Sequence, residues 1–299
     1  MLAQLQFSPE EKLTQLPQPE TVEQAFQLFT SEGYLLFQEV FEPEIIDTLH
    51  QAFLALYSRY CTSADQADAL LVGNKRVMVT VRLEPPFNDP LLYAHPLILP
   101  ILKRILGPEL ILSGFGAVVS LPGSADQQIH RDLSHLFGDD LLDAILPCYA
   151  LNLLIPLLEV NEENGMTRFW PGSHTVYDAP YTELAKRMPY VDPPLTKGSC
   201  LIFDYRIIHL GRANRSAAPR PLLYNTYSRA WFRDPVNYLQ QPPLVIPAAE
   251  WERIPAEYQP LFTAAKNNPL LGRGKIPQVA DNPQAGLQRV GGSEDANAG

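Results

Sequence analysis

The stretch that decides the fold is Gln-Gln-Ile-His-Arg-Asp at residues 127–132. If this segment is extended, His130 and Asp132 stand two residues apart and project from the same face of a strand. One imidazole and one carboxylate side by side supply two adjacent ligands for a metal ion. The segment therefore provides most of a metal site, and a further ligand must come from elsewhere in the chain.

His209 is the candidate for the third ligand. The chain has only six histidines, and this one follows the apolar run Cys-Leu-Ile-Phe-Asp at residues 200–204. Two histidines and one carboxylate on one face of a metal leave three cis positions open, as in the facial triad of non-haem Fe(II) oxygenases. A His-x-Asp pair alone is common as a structural pair, so the hypothesis depends on the rest of the sequence.

Arg220 is a candidate for anion binding beside this metal. It follows His209 after the segment Asn-Arg-Ser-Ala-Ala-Pro at residues 214–219. A strand that leaves the metal and turns back would bring its guanidinium within reach of a bound co-substrate. Arginine suits this role because its planar group binds a carboxylate through two parallel hydrogen bonds.

Composition limits the fold class and the partners. The chain has 299 residues, of which 46% are hydrophobic and 19% charged, enough apolar material for one large core. The 29 prolines disfavour a helical bundle and favour short elements joined by stiff turns. A net charge of −10 argues against nonspecific nucleic-acid binding, which depends on a basic surface.

Cysteine use and the N-terminus bear on the location of the protein. Three cysteines without a Cys-x-x-Cys pair predict neither a disulfide framework nor a zinc-cysteine site, which fits a reducing compartment. The N-terminus lacks the basic and apolar regions of a signal peptide. No apolar run approaches the roughly 20 residues of a membrane span. We expect a cytoplasmic protein without a membrane partner, and the sequence leaves its oligomeric state open.

The chain divides into three predicted regions. Residues 1–20, rich in Gln, Glu and Pro, are expected to form a flexible arm, and residues 21–267 a single domain. Residues 268–299 have little to bury and are expected to be disordered. The pattern Thr-Val-Glu-Gln at residues 21–24 predicts a capping box that opens a helix ending at Gly33.

The remainder of the domain predicts short strands. Further helices are predicted from Pro43 and over residues 97–106, where Gly107 and Pro108 end the pattern. After them, segments rich in Ile, Val, Leu, Phe and Tyr alternate with Gly, Pro, Asn and Asp. This texture predicts a mainly β protein with flanking helices, its antiparallel strands closing into a sandwich or jelly roll. The predicted strands lie near residues 110–121, 127–133, 149–158, 199–204 and 222–232.

Four stretches, in order and spacing, resemble the phytanoyl-CoA dioxygenase family of Fe(II)/2-oxoglutarate-dependent oxygenases. They are EGYLLF with VFEPEIID, then HRD, NEENGMTRFWPGSH and GSCLIFDYRIIHLGRANRSAAPRP, within residues 22–232. The resemblance implies a double-stranded β-helix (jelly-roll, cupin-like) core whose open end holds iron. It matches His130, Asp132 and His209 to the iron ligands, and Arg220 to the arginine that binds the distal carboxylate of 2-oxoglutarate.

The resemblance also suggests further contacts to 2-oxoglutarate. Family members place a Gln before the HxD motif, and both Gln127 and Gln128 qualify here. Thr167 matches a position whose hydroxyl helps to hold the co-substrate, and Asn152 faces the same region. Some members carry Ser two residues after the distal His, where this chain has Gly211. The missing donor is then absent or supplied by another group, with Tyr224 and Thr167 as candidates.

The implied activity is an Fe(II)/2-oxoglutarate-dependent dioxygenase that uses O2 to hydroxylate a small, natural-product-like substrate, forming succinate and CO2. The negative charge gives no long-range attraction for large anions such as CoA esters. Two alternatives stay open: a zinc-dependent jelly-roll hydrolase with the same ligands, and a non-enzymatic small-molecule-binding module. Of the other histidines, His135 could line the substrate mouth, whereas His95 and His174 are interpreted as turn residues.

Overall fold

The computed structural model describes residues 2–133, 135–234 and 242–266. The tail predicted to be disordered, residues 268–299, lies outside them, and the single domain expected over residues 21–267 stays a prediction. The described residues form ten strands in two sheets. The strands are β1 Gln4–Gln6, β2 Tyr34–Gln38, β3 Leu70–Leu71, β4 Arg76–Thr80, β5 Ile111–Ser120, β6 Ala150–Pro156, β7 Thr167–Phe169, β8 Cys200–Asp204, β9 His209–Gly211 and β10 Arg220–Ser228.

The larger sheet has eight strands in the order β1-β2-β8-β6-β10-β5-β4-β3, and the smaller one pairs β7 with β9. All pairings are antiparallel except β1 with β2. Phe169 of the small sheet packs against Tyr34 and Phe203 of the large one, with ring centroids 5.3 Å apart in both pairs. The small sheet therefore covers one face of the large sheet, as the predicted mainly β jelly roll requires.

Helices lie mainly before and between the strands. The described helices are α1 Pro9–Thr14, α2 Pro19–Glu32, α3 Pro43–Leu56, α4 Ser58–Thr62, α5 Leu91–Ala94, α6 Leu99–Leu106, α7 Asp140–Ile145, α8 Tyr181–Arg187, α9 Ala248–Trp251 and α10 Thr263–Lys266, with 3₁₀ turns at Ser173–Thr175 and Gln259–Phe262. Among these described residues, no helix has the length and apolarity that crossing a bilayer would take.

The first helix of the predicted domain begins earlier than expected. Helix α2 starts at Pro19 with Gln18 as its N-cap, so the predicted capping box at residues 21–24 is wrong. Proline at the first helical position needs no amide partner there and fixes the backbone dihedral of a helix start. The predicted end is confirmed, since Gly33 caps the helix with a left-handed φ of 78°.

Residues 2–20 pack against the sheet in the structure, in place of the predicted flexible arm. Strand β1 pairs in parallel with β2, and the Ala3 amide donates to the Tyr34 hydroxyl at 2.9 Å. The Phe7 ring stacks on Phe37 with centroids 5.7 Å apart, so the segment buries apolar surface despite its polar composition. Helix α1 begins with a capping box formed by Ser8 and Glu11. Composition misled here because a few apolar side chains suffice to attach an edge strand.

The predicted strand at residues 127–133 forms only an isolated bridge in the structure. His130 pairs with His209 of β9 through two backbone hydrogen bonds, from His130 N to His209 O and from His209 N to His130 O. Its neighbours are held by single bonds, from the Gln127 amide to Gly211 O and from the Asp132 amide to Tyr205 O. The segment is extended without being a regular strand, and it still presents both predicted ligands on one side.

A buried ion pair connects the end of β8 with the region of α7. Arg206 binds both carboxylate oxygens of Asp204 at 2.8 Å, and its guanidinium also donates to the carbonyls of Asp143 and Leu146. Asp204 is 1% and Arg206 2% exposed. Burial raises the pKa of Asp204, but the charge and hydrogen bonds of Arg206 outweigh burial and hold that pKa below its usual value. The pair thus attaches the end of α7 to the end of β8, and its two charges neutralise each other.

Candidate active site

The three predicted metal ligands come together at one end of the barrel. His130 and Asp132 lie on the extended segment, and His209 begins β9, to which that segment is bridged. Asp132 Oδ1 lies 3.7 Å from His209 Nε2 and 4.0 Å from His130 Nε2. One ligand atom from each residue fits within 4.8 Å of the others. The structure therefore brings together the two-histidine, one-carboxylate set that the spacing suggested.

Hydrogen bonds to the backbone set the tautomer of both histidines. His130 Nδ1 lies 2.8 Å from the Gln128 carbonyl oxygen, and His209 Nδ1 lies 3.0 Å from the Ile207 carbonyl oxygen. A carbonyl accepts only, so each Nδ1 carries a proton and, in the neutral ring, each Nε2 carries the lone pair. This is the arrangement by which outer hydrogen bonds orient metal-ligating histidines.

Burial keeps His209 neutral. Its side chain is 6% exposed, and the Phe203 ring lies 4.9 Å from its own ring, centroid to centroid. Burial lowers the pKa of His209 to about 4, against the opposing hydrogen bond to Ile207. A neutral imidazole at physiological pH is the form that binds a metal without first losing a proton.

Asp132 presents its two oxygens to different surroundings. Oδ1 faces the histidine nitrogens, whereas Oδ2 accepts from Asn152 Nδ2 at 2.7 Å and from the Tyr224 hydroxyl at 3.0 Å. Burial raises the pKa of Asp132 to about 6, although the nearby His130 and the two donors oppose this shift. A buried carboxylate without a cation is unfavourable, which is the electrostatic signature of a site made for a positive ion.

Two buried arginines stand side by side deeper in the barrel. Arg76 of β4 and Arg220 of β10 both pair in register with Ser120 of β5, the strand between them, so the two side chains share one face of the sheet. Arg76 is 1% and Arg220 2% exposed. Burial lowers the pKa of Arg220 to about 9, and the charge of Arg76 lowers it further in the same direction.

Within the described parts of the chain, neither arginine has a carboxylate within ion-pair distance, and the Nε atoms of both are buried without a hydrogen-bond partner. Two uncompensated cations in a low-dielectric interior are costly unless an anion joins them. The pair therefore points to a bound carboxylate or similar anion, as the sequence predicted for Arg220. Arg76 was not predicted from the sequence. The only sign of its role there is that an arginine opens the mainly apolar strand Arg-Val-Met-Val-Thr.

Arg76 also explains why this chain has Gly211. The Arg76 guanidinium donates to Gly211 O at 3.1 Å and to Arg212 O at 2.6 Å. A Cβ on Gly211 would lie 3.0 Å from Arg76 Nη1 and 2.6 Å from Gln127 Oε1. The space of the absent serine side chain is thus filled by Gln127 together with an arginine from another strand.

Of the two candidate glutamines, the structure places Gln127 beside Arg76. Its Oε1 accepts from the Gly211 amide at 2.7 Å, whereas Gln128 is exposed. Thr167 opens β7 directly opposite Gly211, so it lies at the edge of the same region. The predicted contacts of Gln127 and Thr167 to a co-substrate stay predictions, and Gln128 is poorly placed for one.

The predicted role of Asn152 needs correction. Its side-chain amide donates to Asp132 and its Oδ1 accepts from Thr226, so both ends are committed to protein groups. Tyr224, a candidate for the missing co-substrate donor, likewise donates to Asp132. Both residues face the carboxylate ligand rather than the arginine pair. The sequence could not show this, because the contacts depend on the register of β6 with β10.

The other histidines lie outside the group of three. His174 contacts the Thr30 carbonyl at 3.1 Å from within a 3₁₀ turn, as interpreted from the sequence. His95 follows α5 and is buried, its Nδ1 accepting from the Leu97 amide. His135 lines a cavity with Arg131, and its Nε2 lies 3.0 Å from Asp140 Oδ1. Because residue 131 points away from its two neighbours, this cavity lies behind the ligand segment.

The donor set fits iron and 2-oxoglutarate. Two imidazoles and a carboxylate on one side are the ligands of non-haem Fe(II), with open positions left over. The unpaired arginines supply the cation that a dicarboxylic co-substrate needs. Aromatic rings around His209, from Phe169 and Phe203, make the site poor in water.

The sequence comparison agrees with this geometry. The profile of the phytanoyl-CoA dioxygenase family matches residues 29–222. The chain belongs to the phytanoyl-CoA dioxygenase family. The predicted family and the predicted jelly-roll fold with flanking helices are therefore confirmed, and the dioxygenase class named for the family agrees with the predicted enzyme.

Curated relatives are fungal dioxygenases. Dioxygenase af480 of Aspergillus fumigatus is 28% identical over 170 residues, which cover 56% of this chain and 52% of that protein. The chain thus spans about half the length of this relative. Dioxygenase trt7 of Aspergillus terreus is 27% identical over 207 residues, covering 64% of this chain and 68% of the relative.

Solved structures share the fold. The epimerase SnoN in complex with Fe3+, α-ketoglutarate and nogalamycin RO superposes with a TM-score of 0.55 at 20% sequence identity, covering 71% of this chain and 85% of SnoN. At this identity the likeness establishes the architecture alone. It agrees with the two-sheet arrangement described above.

Proposed function

We propose that this protein is an Fe(II)- and 2-oxoglutarate-dependent dioxygenase that hydroxylates a small organic molecule. One observation carries the proposal: a two-histidine, one-carboxylate set opens toward a barrel interior that holds two buried arginines without a carboxylate partner in the described chain. The first group suits a metal with open positions, and the second suits a dicarboxylate that would reach both. Family membership supports the same reading.

Each residue has a distinct role in this proposal. His130, Asp132 and His209 hold the iron, while Arg220, assisted by Arg76, binds the distal carboxylate of 2-oxoglutarate. When bound, the iron with 2-oxoglutarate and O2 supplies the oxidising chemistry, which releases succinate and CO2. The chain itself positions the ligands, balances the charge of the co-substrate and keeps water out of the reacting space.

The zinc hydrolase alternative leaves part of the site unexplained. Zinc accepts the same three ligands and an open position. A hydrolase of this kind uses water as its second reactant and gives no role to Arg76 and Arg220. A non-enzymatic binding module would in turn give no role to the imidazoles of His130 and His209, each oriented by a backbone carbonyl.

A small, natural-product-like substrate is the class we propose. SnoN, which shares the fold, was crystallised with nogalamycin RO and is named an epimerase. An assay should therefore follow every product of a test substrate and not only the hydroxylated one. The formal charge of −10 again disfavours recruitment of large anions. The cytoplasmic location stays a prediction.

The test measures bound metal and succinate. Protein purified without O2 is loaded with Fe(II) or Zn(II), and succinate release from 2-oxoglutarate is followed on admission of O2. We expect roughly one Fe(II) per chain and iron-dependent succinate formation, both lost in His209→Ala. Succinate formation that is equal with and without iron, or full iron content in His209→Ala, would contradict the proposal. Hydrolytic activity supported by Zn(II) alone would favour the hydrolase.

A further inference from the structure

Three residues on two neighbouring strands form a row of side chains whose hydrogen bonds lead to Asp132. Asn152 of β6 pairs in register with Thr226 of β10, and Tyr224 lies two residues along the same strand. Side chains two residues apart on a strand share a face. All three side chains therefore stand on one face of the sheet, below the carboxylate ligand.

The row is directional. The Thr226 hydroxyl donates to Asn152 Oδ1 at 2.8 Å, which turns the amide so that its Nδ2 faces Asp132. Asn152 then donates to Asp132 Oδ2 at 2.7 Å, and the Tyr224 hydroxyl donates to the same oxygen at 3.0 Å. The Tyr205 hydroxyl lies 3.4 Å from Thr226 Oγ1 and continues the row. A reversed Asn152 amide would set its own oxygen against the carboxylate.

Burial makes these contacts consequential. Asn152 is 0% and Thr226 1% exposed, so water cannot replace a lost partner at either residue. Two strong donors on Oδ2 fix the carboxylate in rotation and leave Oδ1 toward His130 Nε2 and His209 Nε2. A carboxylate without them could turn, and both of its oxygens would become available to a cation.

We infer that Asn152 and Tyr224 are positioning residues that make Asp132 a one-oxygen ligand, with Thr226 setting the orientation of the Asn152 amide. This inference rests on the proposed function, because it requires a metal on the triad. Asn152 and Tyr224 contact the oxygen of Asp132 that does not face the histidines. Their effect is exerted through Asp132. When this residue binds through one oxygen, the three protein ligands occupy three positions on the metal and the remaining positions stay open.

The experiment uses Co(II) as an oxygen-stable probe of the full-length protein. Titration of the protein gives the Co(II) dissociation constant, and the d–d absorption bands report the number and symmetry of the ligands. We expect Asn152→Ala and Tyr224→Phe each to weaken Co(II) binding by about 10- to 100-fold, the usual range for outer partners of metal ligands. The d–d bands should shift in both variants. Thr226→Val should cause a smaller change of the same kind.

Matched controls exist in the chain. Asn225 is a buried asparagine of β10 whose Nδ2 donates to Leu92 O, and Tyr227 is a buried tyrosine whose hydroxyl donates to Tyr93 O. Asn225→Ala and Tyr227→Phe remove equivalent groups without touching Asp132. Both should retain the dissociation constant and the spectrum of the unaltered protein. Circular dichroism checks that each variant is folded.

The outcomes separate this inference from the proposed function. Folded Asn152→Ala and Tyr224→Phe with unaltered affinity and spectrum would overturn the positioning role. Equal losses in the two controls would overturn it as well, because the effect would not be specific to Asp132. If Asn152→Ala does not fold, Tyr224→Phe decides alone, since it removes a single oxygen. Unaltered Co(II) binding in His209→Ala would instead overturn the metal site itself.

Discussion

Arg206 and Arg220 are buried to the same degree, and their surroundings differ completely. Each is 2% exposed. Arg206 lies between both oxygens of Asp204 and two backbone carbonyls. Arg220 stands next to another arginine, Arg76, with no carboxylate in ion-pair range among the residues described.

The pKa values express this contrast. Burial alone lowers the pKa of an arginine, but the charge of Asp204 outweighs burial and raises that of Arg206 above its usual value. The pKa of Arg220 is lowered by burial and then by Arg76. A buried charge with a counter-charge in the protein belongs to the folded structure, whereas a buried charge without one indicates a site that binds a ligand of opposite charge.

The largest expected effect concerns the paired arginine. Asp204→Asn leaves Arg206 buried without its counter-charge, and the free energy of unfolding should fall by about 3–5 kcal/mol. Urea denaturation followed by circular dichroism measures the loss. The KM for 2-oxoglutarate of the folded fraction should not change. Asp178→Asn, which breaks the exposed pair with Arg187, is the control and should hardly alter stability.

If the free energy of unfolding of Asp204→Asn falls by less than about 1 kcal/mol, the Asp204–Arg206 pair contributes little to stability. The distinction between a structural and a ligand-binding arginine would then rest on Arg220 alone.

The next effect concerns the unpaired arginine. Arg220→Ala should raise the KM for 2-oxoglutarate by roughly 30- to several-thousand-fold, corresponding to about 2–5 kcal/mol for a buried charge pair. Stability without the co-substrate should fall less than in Asp204→Asn, because an uncompensated charge is removed. Arg220→Lys should recover part of the affinity, since lysine offers one mobile point charge. Succinate release against 2-oxoglutarate concentration gives the KM.

Arg215→Ala is the matched control, since Arg215 lies in the segment that leads to β10. An unchanged 2-oxoglutarate dependence in Arg220→Ala would contradict the assignment. Arg212 and Arg215 would then be the next candidates for the co-substrate carboxylate.

A smaller effect concerns His95, an ionisable group that is buried in its neutral form, unlike the paired Arg206 and the unpaired Arg220. His95 accepts the Leu97 amide at Nδ1, and burial lowers its pKa to about 4 despite the opposing Val40 hydrogen bond. In the unfolded chain the pKa is about 6.5. Below pH 6.5 the unfolded state therefore binds more protons, and stability should fall between pH 6.5 and pH 4 by up to about 3 kcal/mol.

Urea denaturation across this range, on protein without metal, measures the slope. His95→Gln keeps an acceptor for the Leu97 amide and removes the titration, so its stability should vary less with pH. Equal slopes in both proteins would show that other groups, such as the buried His174, account for the acid sensitivity.

The sequence predicted the parts of the site that lie close together along the chain or follow a spacing. His130 and Asp132 are two residues apart, and their common side follows from extended backbone alone. His209 and Arg220 were candidates from their residue types and positions in the sequence, and the resemblance to a family then matched both to known roles. The helix ending at Gly33 was predictable because a glycine with positive φ is a common helix terminus.

What the sequence could not show depends on strand register. Arg76 reaches the site only because β4 and β10 align on the same residue of β5. Asn152 meets Asp132 only because β6 and β10 place Thr226 beside it. The packing of residues 2–20 was not predicted because their contacts lie with β2, outside the segment itself, and composition carries no information on such partners.

The close packing of Arg76 and Gly211 also limits how this site can change during evolution. A side chain at position 211 would meet an arginine that two carbonyls and Ser120 hold in place. A lineage that acquires serine at position 211 must therefore also move or shorten the side chains of Gln127 and Arg76. Positions 76 and 211 lie on strands of different sheets, and they should co-vary among related sequences as one unit.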